Sequence, residues 1–190
     1  MGFDYLSVGD PQSSGAASSR REEYYQRAAA DYGAALERLA YAYEADAEHR
    51  RDLVQEIHLA LFRSFERFDG RCSLRTWVYR VAHNVATSHV IRQSRRNAPT
   101  FLTLEDAESW VRVESVEDSL DREHVRARLL TLVQRLDPLD RQLMLAYLEG
   151  MGAEEISEMT GLSTANVWTK IHRIKNVLTR QFHKGGGHAR

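Results

Sequence analysis

The sequence predicts an all-α protein made of two small helical domains joined by an acidic linker. Stretches rich in Ala, Leu, Glu, Arg and Gln favour helices, and the 190 residues include only 3 prolines and 11 glycines. No segment alternates apolar and polar side chains for the length of a strand, so we expect no sheet. The length allows one or two domains, and 43% apolar residues are enough for modest cores.

Composition and motifs argue against several other classes of protein. No apolar run is long enough to cross a bilayer, and the first residues lack the basic head and apolar core of a signal peptide. We therefore expect a soluble cytoplasmic protein without membrane insertion. The single cysteine, Cys72, excludes an internal disulfide, and the 8 histidines show no metal-ligand spacing. No nucleophile with a base, pair of acids or phosphate loop stands out, so we expect neither an enzyme nor a cofactor.

The chain begins with a polar tail and a long helix. Residues 1–18 are rich in Ser, Gly and Ala, and we predict that they are disordered. The first domain is predicted to span residues 19–97. Its first helix is predicted to continue to about Ala45, and Ser19 and Glu22 match a capping box at its start.

A second helix is predicted from about Glu48 to Arg67. Its apolar residues recur at helical spacing and form the inner side: Leu53, Ile57, Ala60, Leu61 and Phe65. Its polar residues fall mostly on the outer side: Asp52, Gln55, Glu56 and Arg63.

A short loop and a basic helix close the first domain. Gly70 suits the turn of the loop, and Ser73 suits the N-cap of the helix. Between Arg71 and Asn97 there are six arginines and no acid, although the net charge of the chain is only −1. Such a concentration suits a phosphate backbone, but a charged helix face is also typical of a solvated surface. The predicted buried stripe is Leu74, Val78, Val81 and Val85, and the side predicted to be free is Thr76, Tyr79, Arg80, His83 and Thr87.

An acidic segment separates the two domains. Eight acids and two arginines lie between Leu104 and Glu123, and a proline stands at position 99. We predict an extended acidic linker over residues 98–122.

The second domain is predicted to span residues 123–184, with a flexible tail at 185–190. Its first helix passes through Val125, Leu129, Leu132, Val133 and Leu136. Asp137 and Pro138 form a strong start for the next helix, because the aspartate caps free amides and the proline loses no hydrogen bond. A short helix from Ala153 to Thr160, a turn at Gly161 and a last helix to about Phe182 follow.

A short helix, a glycine turn and a longer basic helix together resemble a helix-turn-helix, whose second helix enters the major groove. The apolar face of the last helix turns Thr169, His172, Arg173 and Asn176 outward, with Trp168, Lys170 and Lys175 on the flanks. Arg173 can pair with guanine, Asn176 with adenine, and Thr169 can contact a thymine methyl group. The two lysines suit phosphates. An aromatic residue at the position of Trp168 is more often a packing or protein contact than a base reader.

Two basic helical modules on an acidic tether resemble the extracytoplasmic-function (ECF) sigma factors of the sigma-70 family, which keep only conserved regions two and four. In the first module the similar segments are DLVQEIHLALFRSFERFDG and SLRTWVYRVAHNVA. In the second module the similar segment is LDPLDRQLMLAYLEGMGAEEISEMTGLSTANVWTKIHRIKNVL. The resemblance implies a region-2-like bundle and a region-4-like helix-turn-helix in a non-catalytic subunit that directs RNA polymerase to promoters and starts transcription.

The resemblance also implies partners and site residues. Asp52, Gln55 and Glu56 would dock on the clamp of core RNA polymerase, and the second domain would meet its flap. The residues for minus-ten promoter DNA would be Phe68, Asp69, Gly70, Arg71, Cys72, Ser73, Trp77, Arg80 and Asn84. Those for the minus-thirty-five element would be Trp168, Thr169, Lys170, His172, Arg173, Lys175 and Asn176. An anti-sigma factor that covers both surfaces is typical of the family.

Two other functions stay open at this point. A conventional dimeric helix-turn-helix transcriptional regulator would bind paired half-sites on duplex DNA without polymerase. A helical adaptor would bind protein through the second helix, and its basic faces would serve solubility only. Insensitivity to salt and to DNA would favour the adaptor.

Overall fold

The computed structural model describes residues 11–97 and 122–184, with side chains over 18–93 and 128–182. In these residues the chain is helical and has no strand. The helices are α1 (Pro11–Tyr43), α2 (Ala47–Ser64), α3 (Leu74–Asn97), α4 (Arg122–Gln134), α5 (Pro138–Leu148), α6 (Ala153–Thr160) and α7 (Thr164–Lys184). The all-α class predicted from the sequence is confirmed.

Several predictions concern the ends of the chain and the linker. The tail at 185–190 and all but the last residue of the linker lie outside the described residues, as do residues 1–10. Helix α1, however, already begins at Pro11, before the predicted start. A proline fits the first turn because its missing N–H needs no partner there, and an existing helix extends at little cost. The capping box predicted at Ser19 and Glu22 is wrong, since both residues lie inside α1.

Helices α1, α2 and α3 pack around a shared apolar core. Leu53, Ile57 and Leu61 of α2 are buried as predicted, and they share a buried cluster with Leu36 of α1. Burying one such side chain contributes about 2 kcal/mol relative to leaving it exposed. Asp46 caps α2, since its carboxylate accepts from two N–H groups at 2.9 and 3.0 Å. This packing leaves the polar side of α2 outward.

The face of α3 that the sequence predicts to be free is instead largely buried. Thr76 and His83 are 0% exposed, and Tyr79 is 2% exposed. Of the predicted stripe, Val78 is fully buried, and three residues are only half-buried: Leu74, Val81 and Val85. Helix α3 has α1 and α2 on one side and α6 on another, so it is covered from several directions. Polar residues tolerate such burial when they find partners. The Nδ1 atom of His83 bonds to Tyr43, whereas its Nε2 atom is buried without a partner among the described residues.

Helices α4 to α7 form a second packed group. Asp137 caps α5 as predicted, with its carboxylate accepting from the N–H groups of Leu139 and Asp140 at 3.0 Å. Gly161 ends α6 in the left-handed conformation, at φ 77°, which an L side chain would resist. The core of this group contains Leu132, Val133, Leu136, Leu143, Ile156, Val167 and Ile174.

The two helical groups touch where α6 lies against α3 and where α4 lies against α1. Gln134 of α4 donates to the main-chain carbonyl of Tyr41 at 2.8 Å. Among the helices of the described part, none combines the length and the apolar character that a membrane span requires.

Candidate nucleic-acid interface

The loop before α3 has the local structure that the sequence predicts. Gly70 adopts a left-handed conformation at φ 75°, and the Asp69 carboxylate accepts from the N–H of Arg71 at 3.1 Å. The Ser73 hydroxyl accepts from the N–H of Thr76 at 3.0 Å and so caps α3. The side chain of Arg71 is largely exposed, with its guanidinium 3.1 Å from the Asp69 carboxylate. A turn of this kind presents one cation and several backbone groups to solvent.

A cluster of aromatic rings packs against this loop. The Phe68 ring lies 5.3 Å from the Trp77 ring and 5.0 Å from the Tyr24 ring, measured between centroids. The Trp77 indole N–H donates to the Ser64 hydroxyl at 2.9 Å, which fixes the ring. Half-buried aromatic rings next to a cation are what an unstacked base can use as a platform. Sequence reasoning missed Tyr24, because α1 brings it to the loop from more than forty positions away.

Arg80 and Asn84 continue this surface along α3. Arg80 is half-buried, its guanidinium lies 5.9 Å from the Trp77 ring, and it donates to the main-chain carbonyl of Glu158 at 3.1 Å. Asn84 is exposed. Cys72 is half-buried in the loop, and burial raises the pKa of its thiol. The structure therefore brings the predicted loop residues, Trp77 and Arg80 together, with α6 beside them.

A buried histidine, His83, links the middle of α3 to α1. His83 Nδ1 and the Tyr43 hydroxyl are joined by a hydrogen bond of 3.0 Å, and the Arg141 guanidinium lies 5.1 Å from the Tyr43 ring. Burial lowers the pKa of His83 to about 3 and raises that of Tyr43. His83 is therefore neutral at physiological pH, and it acts as a structural partner of α1 rather than as a DNA ligand.

The helix-turn-helix has its expected geometry. Glu155 accepts from the N–H of Gly152 at 2.9 Å and closes the start of α6, while Ser163 accepts from the N–H of Asn166 at 3.3 Å at the start of α7. The apolar side of α7 is buried: Val167, Ile171, Ile174, Val177 and Leu178. The opposite side is exposed, and it includes Trp168, Thr169, His172, Arg173, Lys175 and Asn176.

Individual side chains on α7 differ in how they are held. Trp168 is 57% exposed. His172 and Asn176 are joined side chain to side chain at 3.2 Å. Lys175 donates to the Tyr147 hydroxyl at 3.3 Å. These contacts fix the positions of three polar side chains on α7: His172, Lys175 and Asn176.

Lys170 differs from its neighbours on α7. Its amino group donates to the carboxylate of Asp140, only 1% exposed, at 2.8 Å. Burial raises the pKa of Asp140, and the hydrogen bond from Lys170 opposes that rise. The pair ties α7 to α5, so Lys170 positions the helix in addition to any contact it makes with a phosphate.

The outer face of α2 carries the residues predicted to bind polymerase. Asp52, Gln55 and Glu56 are exposed on one side of the helix. Leu59 lies on the same side and is 49% exposed. Sequence reasoning did not single out Leu59. An apolar side chain beside carboxylates is a common centre for a protein contact.

Comparisons with known proteins agree with this geometry. Residues 29–96 match the family model described as sigma-70 region 2, and residues 126–178 match sigma-70 region 4, so the two cover more than half of the chain. The RNA polymerase sigma-H factor of Pseudomonas aeruginosa is 28% identical over 71% of this chain and 74% of its own length. The ECF RNA polymerase sigma-E factor of Haemophilus influenzae is 29% identical over 67% of this chain and 71% of its own length.

A solved structure supports the fold. The sigma factor RpoE from Bartonella quintana, in complex with the anti-sigma factor NepR, superposes with a TM-score of 0.61 over 85% of this chain and 98% of that one. Its sequence identity is 16%, so this likeness bears on the fold alone. The two family matches, their order along the chain and the named relatives agree with one another. This chain is a member of the extracytoplasmic-function group of the sigma-70 family of RNA polymerase sigma factors.

Proposed function

We propose that this sigma factor brings core RNA polymerase to promoters by reading two DNA elements with its two helical domains. The proposal rests on two features of the same chain. The loop before α3 packs on the rings of Phe68 and Trp77, and α7 of the helix-turn-helix exposes a polar face. The boundaries proposed for the domains are residues 19–97 and 123–184, with the acidic linker between them. The protein would act in the cytoplasm, where its polymerase works, and would carry out no chemistry of its own.

At the minus-ten element, the loop from Phe68 to Ser73 would receive a base taken out of the stack. Extracting a base costs a few kcal/mol, which stacking and phosphate contacts have to offset. Phe68 and Trp77 already form an aromatic floor, and stacking on such rings contributes about 1–3 kcal/mol per base. Arg71, Arg80 and Asn84 would hold the separated strand.

At the minus-thirty-five element, α7 would enter the major groove. Thr169, His172, Arg173 and Asn176 would face base edges, since they lie on its exposed side. Lys175 would contact a phosphate, and Lys170 would combine a phosphate contact with its bond to Asp140. Trp168 would pack against the DNA backbone or a protein partner beside it.

Polymerase would be bound through both domains. Asp52, Gln55 and Glu56, with Leu59 among them, would dock on the clamp, and the second domain would meet the flap. We also propose an anti-sigma partner. The RpoE protein that shares this fold was solved with one.

Charge reversal on α2 tests the docking surface. Asp52→Arg should abolish binding to core polymerase and transcription from every promoter, because it places a cation where a carboxylate is needed. Asp31→Arg makes the same reversal at an exposed position of α1 and is the matched control. Retention of full core affinity by Asp52→Arg, measured by size exclusion and native gels, would show that this face does not dock on polymerase.

A further inference from the structure

Tyr24 of α1 packs against the first residue of the loop before α3. Its ring meets the Phe68 ring edge to face, with the centroids 5.0 Å apart and the planes at 88°. It also stacks on the Phe65 ring, with the centroids 5.9 Å apart and the planes at 30°. The loop that begins at Phe68 is proposed to receive a base, so Tyr24 borders the place where that base would lie.

The segment of α1 around Tyr24 is fixed to α2 and to the turn that follows α2. The Arg21 guanidinium forms an ion pair with the Glu66 carboxylate in that turn. The Tyr25 hydroxyl and Nδ1 of His58 on α2 are joined by a hydrogen bond of 3.2 Å. These contacts lie on both sides of Tyr24 in the sequence, so they hold its backbone beside the loop.

The hydroxyl groups of the two neighbouring tyrosines differ in their partners. The hydroxyl of Tyr25 is already bonded to His58. The hydroxyl of Tyr24 has no hydrogen-bond partner among the described residues, and it is not one of their buried polar atoms that lack a partner. Because Tyr24 is half-buried, its ring packs in the protein while its hydroxyl stays open to water. A phenolic hydroxyl can both donate and accept, so it can pair with the edge of any base.

We propose that Tyr24 is a further contact of the minus-ten strand. Its hydroxyl forms a hydrogen bond with the base that the loop receives, and its ring holds Phe68 in place. Two independent observations carry this inference: the contact of the Tyr24 ring with Phe68, and the open hydroxyl on that ring. The inference rests on the proposed function, because a promoter strand must enter this loop for Tyr24 to meet it.

The expected effect follows from the chemistry of one neutral hydrogen bond. Tyr24→Phe removes the hydroxyl and keeps the ring, so the aromatic contacts with Phe65 and Phe68 remain. Loss of one such bond weakens binding by about two- to tenfold. The variant should fold like the unmodified protein, which separates a contact with DNA from a structural role.

The test compares two matched losses of a hydroxyl, in holoenzyme assembled from the full chain and core RNA polymerase. Tyr24→Phe removes the hydroxyl proposed to bind DNA, and Tyr25→Phe removes the neighbouring hydroxyl that bonds His58. The first probe is a promoter fragment selected with the unmodified holoenzyme and made single-stranded across its minus-ten element. The second probe is a duplex that carries only the minus-thirty-five element of the same promoter. Fluorescence anisotropy measures both affinities, and urea unfolding of each free protein measures its stability.

We expect Tyr24→Phe to bind the first probe about two- to tenfold more weakly, with its affinity for the second probe and its urea midpoint unchanged. Tyr25→Phe should bind both probes like the unmodified protein. The contact is refuted if Tyr24→Phe keeps full affinity for the first probe, if it weakens both probes equally, or if Tyr25→Phe has the same effect. Full affinity in Tyr24→Phe would leave the proposed function intact. Failure of the unmodified holoenzyme to select or bind such a fragment would instead overturn the proposed function, and the contact with it.

Discussion

His83 is predicted to make the first domain sensitive to acid. It is fully buried in the middle of α3 and bonded to Tyr43, and burial lowers its pKa from 6.5 to about 3. In the unfolded chain the ring binds a proton as pH falls through 6.5, whereas the folded protein keeps it neutral until about pH 3. The unfolded state therefore gains stability across that window, and the free energy of unfolding decreases as pH falls. Above about pH 7 this contribution is constant.

The size of the effect follows from the two pKa values. Between pH 7.5 and pH 5, protonation of this ring stabilises the unfolded chain and lowers the free energy of unfolding by about 2 kcal/mol. His83→Gln removes the titrating group but leaves an amide that can still bond Tyr43. At pH 7.5 the substitution itself is expected to lower the free energy of unfolding by about 1 kcal/mol, because the new amide bonds Tyr43 less well than the imidazole does. The loss of stability between pH 7.5 and pH 5 should nevertheless be smaller by about 2 kcal/mol in this variant.

The assay is urea unfolding at both pH values, followed by the fluorescence of Trp77. The other two tryptophans, Trp110 and Trp168, are changed to Phe in every protein compared, so that only the first domain is observed. His49→Gln is the control, because it removes an exposed histidine from the same domain. If His83→Gln and its parent lose the same stability between pH 7.5 and pH 5, the buried neutral histidine is not the cause.

Three further changes test the packing and the proposed DNA contacts. Asp137→Ala should destabilise the second domain by about 1 kcal/mol, because two N–H groups of α5 lose their acceptor, and chemical denaturation measures it. Ile57→Ala should cost the first domain about 2–5 kcal/mol by leaving a cavity, and an unchanged denaturation midpoint would contradict the core described here. Arg173→Ala should cost about 1–3 kcal/mol of discrimination at one base pair of the minus-thirty-five element, measured by transcription from single-base promoter variants. A uniform loss on all of these promoters would mean that Arg173 contacts a phosphate instead.

Local features were predictable from the sequence because their causes are local. Gly70 and Gly161 take left-handed turns, and Ser73 and Asp137 cap helices, through atoms within a few residues of each position. The buried and exposed sides of α2 and α7 also followed from helical spacing, because each helix has one covered face.

The face of α3 could not be predicted in the same way. Helical spacing finds a single apolar stripe, whereas α3 is covered by α1, α2 and α6 together. The partner that makes the burial of His83 possible is Tyr43, forty residues earlier on another helix. The role of Lys170 was missed for the same reason, since Asp140 meets it only after α5 and α7 have packed. The contact of Glu149 with Arg38 joins two domains, and no spacing along the chain encodes it.

The most direct test of the proposed function is a selection of bound sequences from a random duplex library, with the purified protein alone and with core RNA polymerase added. A sigma factor should enrich two short motifs at a fixed spacing, and only when core is present. A palindromic motif enriched by the protein alone would contradict that function and indicate a conventional dimeric regulator.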